Sequence, residues 1–146
     1  AWIDADVRCI RNFSSNDLLK FFPSGGELMS YLGRNYPVVD PYSECGFLGF
    51  NVQHPLVRDF LNSVASVYTS GEIFSHRQWH DSWIWDQVRL GYERQNVRFK
   101  NISGDAYETD HPFINCGLGL FFDHLKGPQR KQMGQSFAED YKLAPK

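Results

Sequence analysis

Cysteine is scarce: Cys9, Cys45 and Cys116 are an odd number with no Cys-x-x-Cys spacing, which excludes both a disulfide framework and a zinc-ribbon site. They read as reduced thiols of a cytoplasmic protein. Long apolar runs are missing too. Nothing approaches the ~18 residues of a membrane helix, so no membrane segment is expected in this chain, and no signal peptide is visible at its start. Positive charge is not in excess, and a net charge of −2 leaves no basic footprint for a nucleic-acid partner. Aromatic residues, by contrast, are plentiful. They make up 16% of 146 residues within a hydrophobic content of 42%, enough to build the core of one domain. That domain is expected over 1–136, with a loose polar tail over 137–146.

The chemistry starts at the first residues, Ala1-Trp2-Ile3-Asp4-Ala5-Asp6-Val7. An apolar run breaks into two carboxylates one residue apart and resumes, as a buried strand does when its end offers acids to a cation. Alternate residues of an extended segment point the same way, so Asp4 and Asp6 can converge on one ion. Mn²⁺ or Mg²⁺ prefers such oxygens and leaves positions for phosphates. The plain alternative is a solvated turn. Trp2 and Ile3 count against it, because carboxylates buried beside them without a cation or donors would be costly.

Further along, Ser14-Ser15-Asn16-Asp17 supplies capping chemistry for a brief helix through Phe22, and Pro23-Ser24-Gly25-Gly26 stops it. Strands are expected over Glu27–Gly33 and Tyr42–Val52. In the second, Gly46 and Gly49 remove side chains either for a ligand wall or for tight packing. Pro55 and Gly71 bracket an amphipathic helix whose apolar positions Val57, Phe60, Leu61, Val64, Val67 and Tyr68 recur at steps of three and four. A further strand is expected over Val97–Ile102.

Two clusters remain. In Trp79-His80-Asp81-Ser82-Trp83-Ile84-Trp85-Asp86-Gln87-Val88-Arg89, Asp81 stands near the start of a helix, either as a cap or as a carboxylate facing an acceptor hydroxyl. Asp86 and Arg89, three apart, suit a pair on the helix surface. His80 suits a structural hydrogen bond better than a general base. The second cluster is Asp123-His124-Leu125-Lys126-Gly127-Pro128-Gln129-Arg130-Lys131. Imidazole can join two carboxylates on Mn²⁺, Gly127 lets a phosphate approach the backbone, and Lys126, Arg130 and Lys131 can neutralise a diphosphate. The alternative is a solvated basic tail, against which stands the apolar run Leu118, Phe121 and Phe122 just before it.

Trp-Ile-Asp-Ala-Asp-Val resembles the Asp-x-Asp segment of glycosyltransferases with the GT-A fold. His124, Gly127 and Arg130 fall on a spacing similar to the His-x-x-Gly-x-x-Lys that closes the glycogenin-like members, with Arg for Lys. Glu44-Cys45-Gly46-Phe47 is similar in shape to the segment those enzymes lay against the donor sugar. The order of these motifs also resembles bacterial and phage glycosyltransferase-like proteins, over residues 1 to about 136. The resemblance implies an α/β fold, a partial GT-A-like mixed sheet flanked by helices, whose nucleotide-binding half would precede Asp4. It implies a metal-dependent glycosyltransferase with a nucleotide-sugar donor and a glycan or other hydroxyl acceptor. Asp4, Asp6 and His124 would hold Mn²⁺ or Mg²⁺; Lys126, Gly127, Arg130 and Lys131 would receive the diphosphate; Asp81 would act at the acceptor. A non-catalytic carbohydrate-binding module, with tryptophans around Trp83 stacking on sugar, is the competing expectation, and a metal-dependent phosphohydrolase a third. The first requires the two ends of the chain to meet.

Overall fold

Alternation of large apolar residues with small or polar ones produces the two longest strands. A computed structural model describes residues 1–3, 7–33, 43–103 and 117–124, excluding the side chains of Ser43, Glu44, Asp123 and His124. Within these residues lie six strands, β1 (Trp2–Ile3), β2 (Val7–Cys9), β3 (Met29–Gly33), β4 (Ser43–Phe50), β5 (Phe99–Asn101) and β6 (Phe122–His124). Three helices accompany them, α1 (Ser15–Leu19), α2 (Val57–Thr69) and α3 (Asp81–Glu93). The fold is a mixed α/β arrangement.

Four strands form one sheet in the order β1-β4-β3-β5, and β2 pairs with β6 in a separate antiparallel ribbon. β4 is antiparallel to both β1 and β3, while β5 is parallel to β3. Strands β1, β3 and β5 therefore run one way, and their carboxyl ends share one edge. The β3–β4 ladder is broken near that edge. Tyr31 pairs with Leu48 but Leu32 pairs with Glu44, so Cys45, Gly46 and Phe47 bulge out of register. Bulges of this kind bend a strand and redirect its side chains.

Both faces of the sheet are covered. On one, Met29 and Leu48 meet Phe60, Val64 and Val67 of α2 and Ile84 of α3, together with Leu28. On the other, Leu32 and Phe47 pack with Phe21, Leu118 and Phe122. The expected helix over Pro55–Gly71 is present but starts two residues past the proline. His54 Nδ1 accepts from the Leu56 N–H at 3.2 Å and closes the preceding turn. Of its expected apolar positions, Phe60, Val64 and Val67 are buried, whereas Leu61 and Tyr68 are exposed because they sit at the margin of the stripe.

Gly49 is explained by packing rather than by a ligand. It pairs with Ser30 across the ladder, and a Cβ there would collide with the Ser30 hydroxyl. No helix among the described residues is long and apolar enough to cross a membrane.

Candidate functional site

β1 belongs to the set of like-directed strands whose carboxyl ends lie together, a place where ligands of α/β folds commonly bind. β1 ends at Ile3, and Asp4 follows it in sequence. Asp4 and Asp6 lie outside the described residues, as do Lys126, Gly127, Arg130 and Lys131, and for His124 the backbone alone is described. The residues that flank them are paired in strands. On one side of residues 4–6, Ile3 pairs with Phe47 of the β4 bulge. On the other, Val7 pairs with His124, Arg8 with Asp123 and Cys9 with Phe122. The sequence neighbours at the open end of that ribbon are Asp6 and Leu125.

The ribbon is held by burial on its C-terminal strand. Leu118 and Phe122 are in the second core cluster, Phe13 packs against Phe122 with ring centroids 5.1 Å apart, and the Ile10 N–H donates to the Phe121 carbonyl at 2.9 Å. The chain entering Asp123 is thus anchored by the apolar run before it. Among the described residues, no three His, Cys, Asp or Glu side chains gather closely enough to hold a metal ion.

At the start of α3 the roles of His80 and Asp81 differ from the simplest sequence expectation. His80 is the N-cap, with its Nδ1 accepting from the Trp83 N–H at 3.1 Å. The acceptor role of Nδ1 leaves the proton on Nε2, which faces Gln78 Oε1. Asp81 is the first helical residue. Its Oδ1 accepts from the Ser82 N–H at 2.7 Å, a position where the helix dipole favours a carboxylate. Capping therefore belongs to His80, and Asp81 keeps a surface-exposed carboxyl group.

Tyr68, near the end of α2, is an exposed ring with a perturbed phenol. Burial pushes its phenol above the ordinary value, and the nearby charge of Asp81 and the thiol of Cys45 push it the same way. Helical spacing alone marks Tyr68 as a stripe position without showing that it lies at the exposed margin.

The remaining members of the tryptophan cluster separate clearly. Trp85 packs between Phe50 and Phe60 at centroid distances of 5.8 and 5.7 Å. Trp83 lies against the first core cluster, and its indole N–H is buried without a hydrogen-bond partner among the described residues. Trp79 alone of these three is on the surface. A sugar-stacking role for Trp83 gives way to packing.

Asp86 and Arg89 do pair, but inside rather than on the surface. Asp86 is 2% exposed and accepts from Arg89 Nε at 3.0 Å, while Arg89 Nη1 donates to Glu93 at 2.6 Å. The guanidinium lies 4.3 Å from the ring centre of Tyr31 on β3. Burial opposes its charge, yet Asp86, Tyr31 and Glu93 outweigh that and hold its pKa above the ordinary value. The ion pairs lie within α3, and the contact of Arg89 with the Tyr31 ring joins helix to sheet. No protein-family model, curated protein or solved structure matches the chain.

Proposed function

We propose that the chain is the acceptor-side portion of a metal-dependent glycosyltransferase of GT-A type, transferring a sugar from a nucleotide-diphosphate donor to a glycan or other hydroxyl acceptor. The observation that carries this reading is the β2–β6 ladder. It sets Val7, the neighbour of Asp6, opposite His124. The carboxyl-edge position of Ile3, immediately before Asp4, supports it further.

In this reading Asp4, Asp6 and His124 hold Mn²⁺ or Mg²⁺, and Lys126, Gly127, Arg130 and Lys131 receive the diphosphate. The cation, when bound, neutralises charge on the departing nucleoside diphosphate. The basic residues fix the phosphates through charge-assisted hydrogen bonds. Asp81 accepts the proton of the acceptor hydroxyl.

Titration of Mn²⁺ by electron paramagnetic resonance, with and without uridine or guanosine diphosphate, tests the reading. Binding is expected to strengthen with diphosphate and to be lost in Asp6→Asn and His124→Ala. Asp81→Asn, which retains an oxygen for the Ser82 N–H, is expected to keep metal binding and to lower transfer by about 100-fold or more. Folded protein that binds no Mn²⁺, or binds it equally in both metal-site variants, rejects the reading. The surface position of Trp79 favours a second possibility, a non-catalytic glycan-binding module. It predicts glycan binding indifferent to metal and to Asp6→Asn.

A further inference from the structure

The loop between α2 and α3 presents two large rings to solvent. Phe74 is 70% exposed and Trp79 59% exposed, and they meet edge to face at a centroid distance of 5.4 Å and an angle of 89°. The indole is not loose. Its Nε1–H donates to the His76 carbonyl at 3.1 Å, and the His76 N–H is in turn tied to the Ile73 carbonyl at 3.2 Å. With its only polar atom already committed, Trp79 has an apolar ring surface left to offer. Ring immobilisation before binding lowers the entropic cost of an encounter.

The surroundings determine what that corner suits. Its sequence neighbours are polar: Ser75, Arg77, Gln78, His80 and Asp81. Gln78 is held through its Oε1 by the His80 imidazole, so its amide NH₂ is presented from a fixed side chain. The two rings expose on the order of 250 Å², well short of the ~800 Å² each partner commits to a stable protein interface. A ligand that is itself two-sided, with an apolar face of C–H groups and a rim of hydroxyls, matches both the area and the polar border. One pyranose ring has that character.

We infer that Phe74 and Trp79 form a stacking subsite for one pyranose ring of a glycan, with Gln78 at its polar rim and Asp81 two residues beyond Trp79. Its assignment as the acceptor subsite rests on the glycosyl-transfer reading; the stacking itself does not. The acceptor class it selects is an oligosaccharide rather than a protein side chain or a small alcohol.

Indole N–H resonances read this directly. The four tryptophans give four such signals, and a Trp79→Phe variant identifies the one from Trp79. Maltotetraose, cellotetraose and chitotetraose are titrated into the full chain without Mn²⁺ or nucleotide. The Trp79 signal is expected to move saturably with at least one tetraose. Affinity is expected to fall roughly tenfold in Trp79→Ala and to be kept in part by Trp79→Phe. Absence of any saccharide-dependent shift at Trp79 in folded protein overturns the subsite. So does a shift that follows protein concentration instead, which would make the corner a contact between copies. Mn²⁺ titration on the same samples keeps the two readings apart. Metal and diphosphate binding with a silent Trp79 rejects the subsite alone, and a Trp79 signal that moves with saccharide in protein that binds no Mn²⁺ rejects the transferase alone.

Discussion

At the head of α3 a histidine holds the place that Ser, Thr, Asp or Asn commonly takes. Its Nδ1 satisfies the Trp83 N–H, one of the donors that the first helical turn leaves without an intrahelical partner. Replacing His80 by Ala is expected to cost about 1 kcal/mol, a fall of roughly 4 °C in Tm, whereas His80→Asn retains most of the stability. Thermal unfolding followed by circular dichroism checks both. The same residue shows a limit of sequence reading. Asp81 beside it is the more usual capping type, so the choice between them depended on one backbone step. Trp79, Trp83 and Trp85 make the same point about burial. Their crowding was plain from composition, but which ring faces water depends on where the helix meets Phe50 and Phe60.

Among elements, β3 and β4 are coupled through a contact only a small residue permits. Gly49→Ala would drive a methyl group into Ser30 Oγ, and that hydroxyl is fully buried without a hydrogen-bond partner among the described residues. The substitution is expected to destabilise by about 1–3 kcal/mol. Ser30→Ala alone is expected to be nearly neutral, and the double variant to recover much of the loss, an interaction that urea unfolding of all four proteins would quantify. Between α3 and β3, burial pushes the Tyr31 phenol up against the lowering influence of Arg89. A raised folded value favours the neutral phenol, so its stabilisation is whole below about pH 10 and declines as pH rises from there through the folded value. Tyr31→Phe keeps a ring for Arg89 and is expected to lose less stability than the parent between pH 9 and pH 11 in urea titrations. The helix over Val57–Thr69 and the strands around Met29 and Leu48 were legible because their periodicity is local. The three-residue bulge at Cys45–Phe47 was not: it exists only relative to the partner strand.

For the molecule as a whole, the pairing of residues 7–9 with 122–124 sets the arrangement of the candidate site. Arg8 and Asp123 stand directly opposite one another. In a Cys9→Ser background, cysteines at both positions are expected to oxidise to an intramolecular bridge. Closing a loop of more than about 100 residues would add up to about 4–5 kcal/mol. Mobility on non-reducing gels and the shift in urea midpoint check the register. The sequence required the chain ends to meet only through the chemistry assigned to Asp6 and His124. No periodicity reveals a partnership across such separation, and the acids and basic residues beyond the ladder lie outside the described residues.

That partnership also imposes a timetable on biosynthesis. A ribosome adding ~5–20 residues per second delivers Val7–Cys9 on the order of 10 s before Phe122–His124. The helices and sheet between them are made in that interval, while β2 waits with an unpaired edge. Closure of the ribbon is therefore a late event, and a nascent chain halted before Leu118 carries the first acidic motif without the strand that fastens it. Quality control acting on such chains would meet an exposed β2 edge beside a second core cluster still lacking Leu118 and Phe122.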